Sequence, residues 1–83
     1  MKKVTIYSTR ICPYCVRAKN FFNKKNIEYT EIMIDQDPSL IKEMIEKSGR
    51  QSVPQIFIGD YHVGGFDDLI EHDMDGKLEG LLN

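Results

Sequence analysis

At 83 residues the chain has room for one domain and one modest core, and residues 1–83 are read as a single domain. Hydrophobic residues make up 41% and charged residues 29%, with a net charge of −2, which is the balance of a globular chain and not of a disordered one. No apolar run is long enough to span a bilayer, and the run after Met1-Lys2-Lys3 is broken at Thr5, Ser8, Thr9 and Arg10, so neither a membrane span nor a signal sequence is expected.

Val4 and Ile6, alternating with Thr5 and Tyr7, predict a first strand over Lys3 to Ser8. Thr9-Arg10-Ile11 is a loop. From Pro13 to Lys25 the period becomes helical, with Cys15, Ala18, Phe21 and Phe22 on one face; Lys24 and Lys25 sit at the negative pole, and Asn26 is a C-cap candidate. Ile27 to Ile34 is rich in β-formers, with Tyr29, Ile32 and Ile34 apolar. Asp37-Pro38 starts a second helix as N-cap and first helical residue; its expected buried residues are Ile41, Met44 and Ile45, and Gly49 closes it. Gln55 to Ile58 predicts a third strand, Gly59-Asp60 a hairpin turn and Tyr61 to Val63 a fourth strand. Asp67 or Asp68 is placed to cap a third helix, and Leu78, Leu81 and Leu82 mark a short closing helix. The order β-α-β-α-β-β-α implies an α/β fold: a four-stranded mixed sheet with helices on both faces, its opening strand–helix–strand a parallel pair.

The charge is uneven. Residues 1–50 carry ten Lys and Arg against six acids, while residues 51–83 carry Lys77 against seven. The basic residues lack the aromatic interleaving of a nucleic-acid surface and are read as solvated helix faces, so no nucleic-acid partner is expected.

Chemistry concentrates at Cys12-Pro13-Tyr14-Cys15, where the first strand gives way to the first helix. Two cysteines so close in sequence close a loop too short to restrain the unfolded chain much, which argues against a secreted disulfide scaffold and for a reducing compartment, so a cytoplasmic protein is expected. With Cys12 at the N-cap, its sulfur faces unsatisfied N–H groups and the positive end of the helix dipole. Those donors stabilise a thiolate, moving its pKa from about 8.5 into the range of roughly 3.5–7.5. Cys12 is the expected exposed attacker and Cys15, one turn inside, the resolver. Arg10 either adds positive potential or is solvated loop charge; Tyr14 either contacts substrate or is a helix-surface aromatic. Val53-Pro54 opens a strand where no donor is lost. Gly64-Gly65 allows close backbone approach ahead of a helix N-terminus, or is merely a turn with Asp67 and Asp68 as caps. His62 is placed at the surface. His62 and His72 fit no zinc spacing with the cysteines, and Asp73-Met74-Asp75-Gly76 lacks the remaining calcium ligands, so no metal is expected.

The four blocks Cys12-Pro13-Tyr14-Cys15 with Arg17-Ala18-Lys19, Ser48-Gly49-Arg50, Val53-Pro54-Gln55-Ile56-Phe57-Ile58, and Gly64-Gly65 before Asp67-Asp68-Leu69 resemble a dithiol glutaredoxin of the thioredoxin-like superfamily over essentially the whole chain. The resemblance implies a glutathione-dependent thiol–disulfide oxidoreductase acting on protein disulfides and glutathione mixed disulfides. It implies catalytic Cys12 and Cys15, with glutathione as co-substrate and no tightly bound cofactor. It places glutathione against Tyr14, Arg50, Ser52, Val53, Pro54, Gly65, Phe66, Asp67 and Asp68. Pro54 would be cis and face the cysteines, leaving the Val53 backbone free to pair with ligand. Arg50 would meet the glycine carboxylate at one end, and the Gly65–Asp68 segment the γ-glutamyl group at the other. A potential of about −200 to −230 mV belongs to the class. Two positions depart from the pattern: Thr9 where many relatives carry Lys, and Phe66 where a third cysteine or a polar residue is common. A monomer is expected. The competing readings are an iron–sulfur cluster-binding dimer, disfavoured by Pro13 and by Cys15, and an electron donor reduced by thioredoxin reductase.

Overall fold

A computed structural model describes residues 2–83. The elements are β1 (Val4–Ser8), α1 (Pro13–Lys24), β2 (Thr30–Met33), a 3₁₀ turn (Ile34–Gln36), α2 (Pro38–Ser48), β3 (Gln55–Ile58), β4 (Tyr61–Gly64), α3 (Phe66–Met74) and α4 (Lys77–Leu82). They form a four-stranded mixed sheet in the order β2-β1-β3-β4. β1 pairs parallel with β2 and antiparallel with β3, and β3 pairs antiparallel with β4. Among the described residues no helix is long and apolar enough to cross a membrane.

Each face of the sheet is covered. Val4, Ile6, Ile56, Ile58 and Val63 point to one side, where Ala18 and Phe22 of α1, Leu69 of α3, and Leu78 and Leu82 of α4 close over them. Tyr7 and Phe57 point to the other, against Ile34 of the 3₁₀ turn and Met44 of α2. Coverage of both faces corrects the first strand: Tyr7 is fully buried although it alternates with the apolar positions, because α2 shields the face it occupies. Its hydroxyl donates to Glu43 Oε2 at 2.7 Å, so the buried ring keeps a polar partner.

Local signals place the helix ends. Asp37 caps α2 by accepting from Ser39 N–H at 2.9 Å, Pro38 occupies the first turn, and Gly49 ends the helix at φ +71°. Lys25 is the C-cap of α1, and Asn26 follows it in the left-handed region at φ +57°. Three expectations shift. β2 is shorter than Ile27–Ile34, because it is an edge strand whose partner among the described residues, β1, offers pairing from Thr30 to Met33. Ile27 instead plugs the core from the preceding loop and Ile34 starts the 3₁₀ turn. On α2, Ile41 is exposed while Leu40 packs against the buried cluster beside Met44 and Ile45. Finally, the N-cap of α3 is Gly65, and Asp68 acts from the third helical position, its Oδ2 accepting from Gly65 N–H at 2.9 Å.

Candidate active site

Cys12 is the N-cap of α1, with extended backbone at φ −153° and Pro13 following in the first turn. Its sulfur accepts from Cys15 N–H at 3.1 Å, the donor geometry that a helix N-terminus offers to a thiolate. Cys12 and Cys15 are joined as a disulfide, with Cα atoms 5.2 Å apart. Cys12 is more covered than an exposed attacker would be, at 9% exposed, yet Cys15 is sealed at 0%. The cover comes from across the sheet: Val53 O lies 3.8 Å from Cys12 Sγ, and the Val53–Pro54 peptide bond is cis.

The sheet explains why these segments meet. β1 ends at the residues that lead into Cys12, and the antiparallel register sets Tyr7 opposite Gln55, so the start of β3 lies beside the end of β1. β4 returns to the same edge, with Gly64 opposite Ile56. A groove of about 230 Å³ follows, lined by Tyr14, Arg50, Ser52, Val53, Pro54, Gly65, Phe66, Asp67 and Asp68. These are the nine positions named beside the cysteines from sequence.

Along one wall, Tyr14 is half exposed, its ring centroid 6.3 Å from that of Phe66, with the Arg17 guanidinium 5.0 Å over its outer face. At the other wall, Arg50 Nη1 donates to Asp68 Oδ2 at 2.9 Å. The two residues that the resemblance sends to opposite ends of a ligand are therefore bound to each other. Gly65 N–H, and then Arg50, hold the Asp68 carboxyl below the usual carboxylate range against a small opposing effect of burial. At the start of α3, Phe66 and Asp67 N–H belong to the first turn and have no intrahelical acceptor.

Other candidates lie apart. Arg10 is solvated loop charge: its backbone N–H donates to Asp35 Oδ2 at 3.1 Å, and its Nε is 3.9 Å from the same oxygen. His72 bridges Asp68 O at 2.7 Å and Tyr61 Oη at 2.8 Å. His62 is half-buried, not a surface residue, because its ring turns inward onto Gln55. Sequence reasoning passed over Gln55 and Arg17. The available signal was one polar residue opening an otherwise apolar strand, Gln55-Ile56-Phe57-Ile58, and a cation three positions after Tyr14.

The Glutaredoxin family model matches residues 4–63. A glutaredoxin of Pseudomonas aeruginosa is 47% identical over 83 residues, covering 100% of this chain and 99% of that protein. Glutaredoxin 3 of Escherichia coli K12 is 46% identical over 82 residues, covering 99% of each. The solution structure of a Brucella melitensis glutaredoxin superposes with a TM-score of 0.86 at 50% identity, covering 99% of this chain and 89% of that one. The crystal structure of a buckwheat glutaredoxin–glutathione complex superposes with a TM-score of 0.89 at 32% identity, covering 98% and 76%. With a redox-active cysteine pair at the mouth of its first helix and relatives matched from end to end, this chain belongs to the glutaredoxin family of thiol–disulfide oxidoreductases.

Proposed function

We propose that the chain reduces glutathione mixed disulfides and protein disulfides in the cytoplasm, as a monomer, with glutathione as the electron donor. The observation that carries this reading is the groove beside Cys12, where a main-chain edge, a helix N-terminus, a guanidinium and carboxylates converge. Glutathione has a carboxylate at one end and a carboxylate with an ammonium at the other, joined by peptide-like linkages. The Val53 backbone pairs with the central linkage. Arg50 attracts the glycine carboxylate through the guanidinium N–H groups not committed to Asp68. The first-turn N–H groups of α3 take the γ-glutamyl carboxylate, and Asp67 the ammonium.

The Cys12 thiolate attacks the glutathione sulfur of a mixed disulfide. A Cys12–glutathione disulfide forms, the substrate sulfur leaves with the bonding pair, and that sulfur takes a proton from water. A second glutathione thiolate then attacks the bound glutathione sulfur, releasing glutathione disulfide and the Cys12 thiolate. With a protein disulfide, Cys12 forms the mixed disulfide, and Cys15 displaces the second substrate sulfur by attacking Cys12 Sγ. Two glutathiones reduce the resulting Cys12–Cys15 bond. Turnover of a glutathionylated peptide with glutathione and glutathione reductase tests the assignment. Cys12→Ser is expected to abolish it and Cys15→Ser to retain it; equal loss in both variants refutes the roles. Faster turnover with thioredoxin reductase than with glutathione refutes the donor.

A further inference from the structure

Gln55 is the one polar side chain of β3, and it is fully buried. Its amide is held from both ends. Nε2 donates to the Ser52 carbonyl oxygen at 3.0 Å and to Ser52 Oγ at 3.3 Å, while Oε1 lies 2.7 Å from His62 Nε2. These contacts fix a proton. A carbonyl oxygen only accepts, so the amide must turn its NH₂ toward Ser52; its own oxygen then faces His62, whose Nε2 must carry the hydrogen. The imidazole is itself fixed by its strand. His62 stands opposite Phe57 in the β3–β4 register, with ring centroids 4.9 Å apart and planes inclined by 31°.

The chain of contacts therefore runs from β4 to the groove: ring stacking orients His62, His62 orients Gln55, and Gln55 ties down Ser52. The next residue is Val53, whose carbonyl lies 3.8 Å from Cys12 Sγ. We infer that His62, acting through Gln55, is a positioning residue that holds the Ser52–Val53 main chain in the geometry a glutathione-type ligand pairs with. This rests on the function proposed above. His62 touches none of the reacting sulfurs. Burial first, and then the Arg50 guanidinium, keep its pKa below the ordinary histidine value, with Asp68 opposing, so the neutral ring is the form that donates at pH 7.

Two substitutions separate positioning from packing. His62→Met fills the space but leaves Gln55 Oε1 buried without a donor, which frees the amide to turn. His62→Gln restores an N–H close to the former Nε2. The readouts are the Kd of S-methylglutathione, a ligand that cannot react, from amide shifts of the reduced full chain, and kcat for a glutathionylated peptide. His62→Met is expected to weaken binding about tenfold, equivalent to ~1.4 kcal/mol. Its kcat should stay within about twofold, the pattern of binding lost equally from ground and transition states. His62→Gln is expected to recover most of the loss. Unchanged Kd in His62→Met, or no recovery in His62→Gln, overturns the inference. A measurement on the unmutated protein decides the matter even if a variant does not fold: the His62 ¹⁵N shifts must report the Nε2–H tautomer, and an Nδ1–H tautomer overturns the proposal. Absence of any groove shift with S-methylglutathione in the unmutated chain overturns the glutathione reading instead, which keeps the two failures distinct.

Discussion

Gly64 joins the last strand to the helix that borders the groove, and it has no room for a side chain. Its φ is +116°, and a Cβ built there would fall within the Asp68 carboxylate, 2.7 Å from Cγ. In Gly64→Ala the backbone conformation costs about 1–3 kcal/mol. The carboxylate must also leave Gly65 N–H, losing a helix-capping bond worth about 0.5–2 kcal/mol. The sum is about 1.5–5 kcal/mol, and at about 4–8 °C per kcal/mol for a domain of this size the melting temperature should fall by at least about 6 °C. Thermal and urea unfolding, followed by circular dichroism, measures it. A double-mutant cycle with Asp68→Ala isolates the mechanism, because the cap is already gone in that background and most of the obstacle with it. Relief is partial, since the Cβ of residue 68 remains 2.9 Å from the added methyl. The pair should still fall short of additivity by about 0.5–2 kcal/mol, the worth of the cap. Strict additivity, within about 0.3 kcal/mol, or a Gly64→Ala protein melting within about 2 °C of the parent, refutes the account.

The same carboxylate sets an acid limb. Asp68 has a folded-state pKa below its unfolded value, so its contribution to stability is full above the unfolded value and is lost as pH falls through the folded one. Asp68→Asn should flatten the loss of urea resistance below roughly pH 4, and an unchanged acid limb would contradict the assignment. Phe22, fully buried between α1 and the sheet, should cost about 3–5 kcal/mol when cut to Ala, read as a shift of the denaturation midpoint at constant slope. Tyr7→Phe should cost only about 0.5–1.5 kcal/mol, since the bond to Glu43 goes while the ring stays packed. In the unmutated protein, burial and Glu43 push the Tyr7 phenol up to about 12, so this phenol should remain largely un-ionised at pH 11, read by ultraviolet titration of the parent against Tyr7→Phe.

What the sequence disclosed follows from how far each signal reaches along the chain. Helix ends are set within a few residues, so Cys12-Pro13, Asp37-Pro38 and Gly49 stand where their chemistry puts them. The apolar run of β3 and the Gly59 turn are equally local. Burial is different, because it depends on what another element covers. Tyr7 alternates correctly and is nevertheless inside, since α2 packs on its face. Ile41 has the right spacing and is nevertheless outside, since the seam of α2 runs through Leu40, Met44 and Ile45. Seven of the nine groove residues stand in four blocks distributed from Cys12 to Leu69, with Ser52 and Phe66 between the block residues, a pattern no window of strand or helix period contains. His62 was placed at the surface for the opposite reason: nothing near it in sequence announces that the partner it needs is Gln55, seven residues back and on the neighbouring strand.

The groove draws much of its polar lining from backbone, which explains why composition says little about it. Val53 O and the first-turn N–H groups of α3 are present in any chain; what is specific is where the sheet holds them. Their placement depends on the β1–β3–β4 register: Tyr7 opposite Gln55 brings the start of β3 beside the cysteine loop, and Ile56 opposite Gly64 brings the start of α3 beside the start of β3. A slip of one residue in the hairpin would exchange Val63 for His62 on the α1 face, burying an imidazole in the apolar core and exposing a valine to α2. The hydrophobic cost of that exchange therefore protects a site made largely of main-chain atoms. The same pairing sets His62 over Phe57 and against Gln55, and a one-residue register shift between Ile56 and Phe57 then brings Gly64 opposite Ile56, so the core and the groove are specified together by the hairpin pairing and its irregularity.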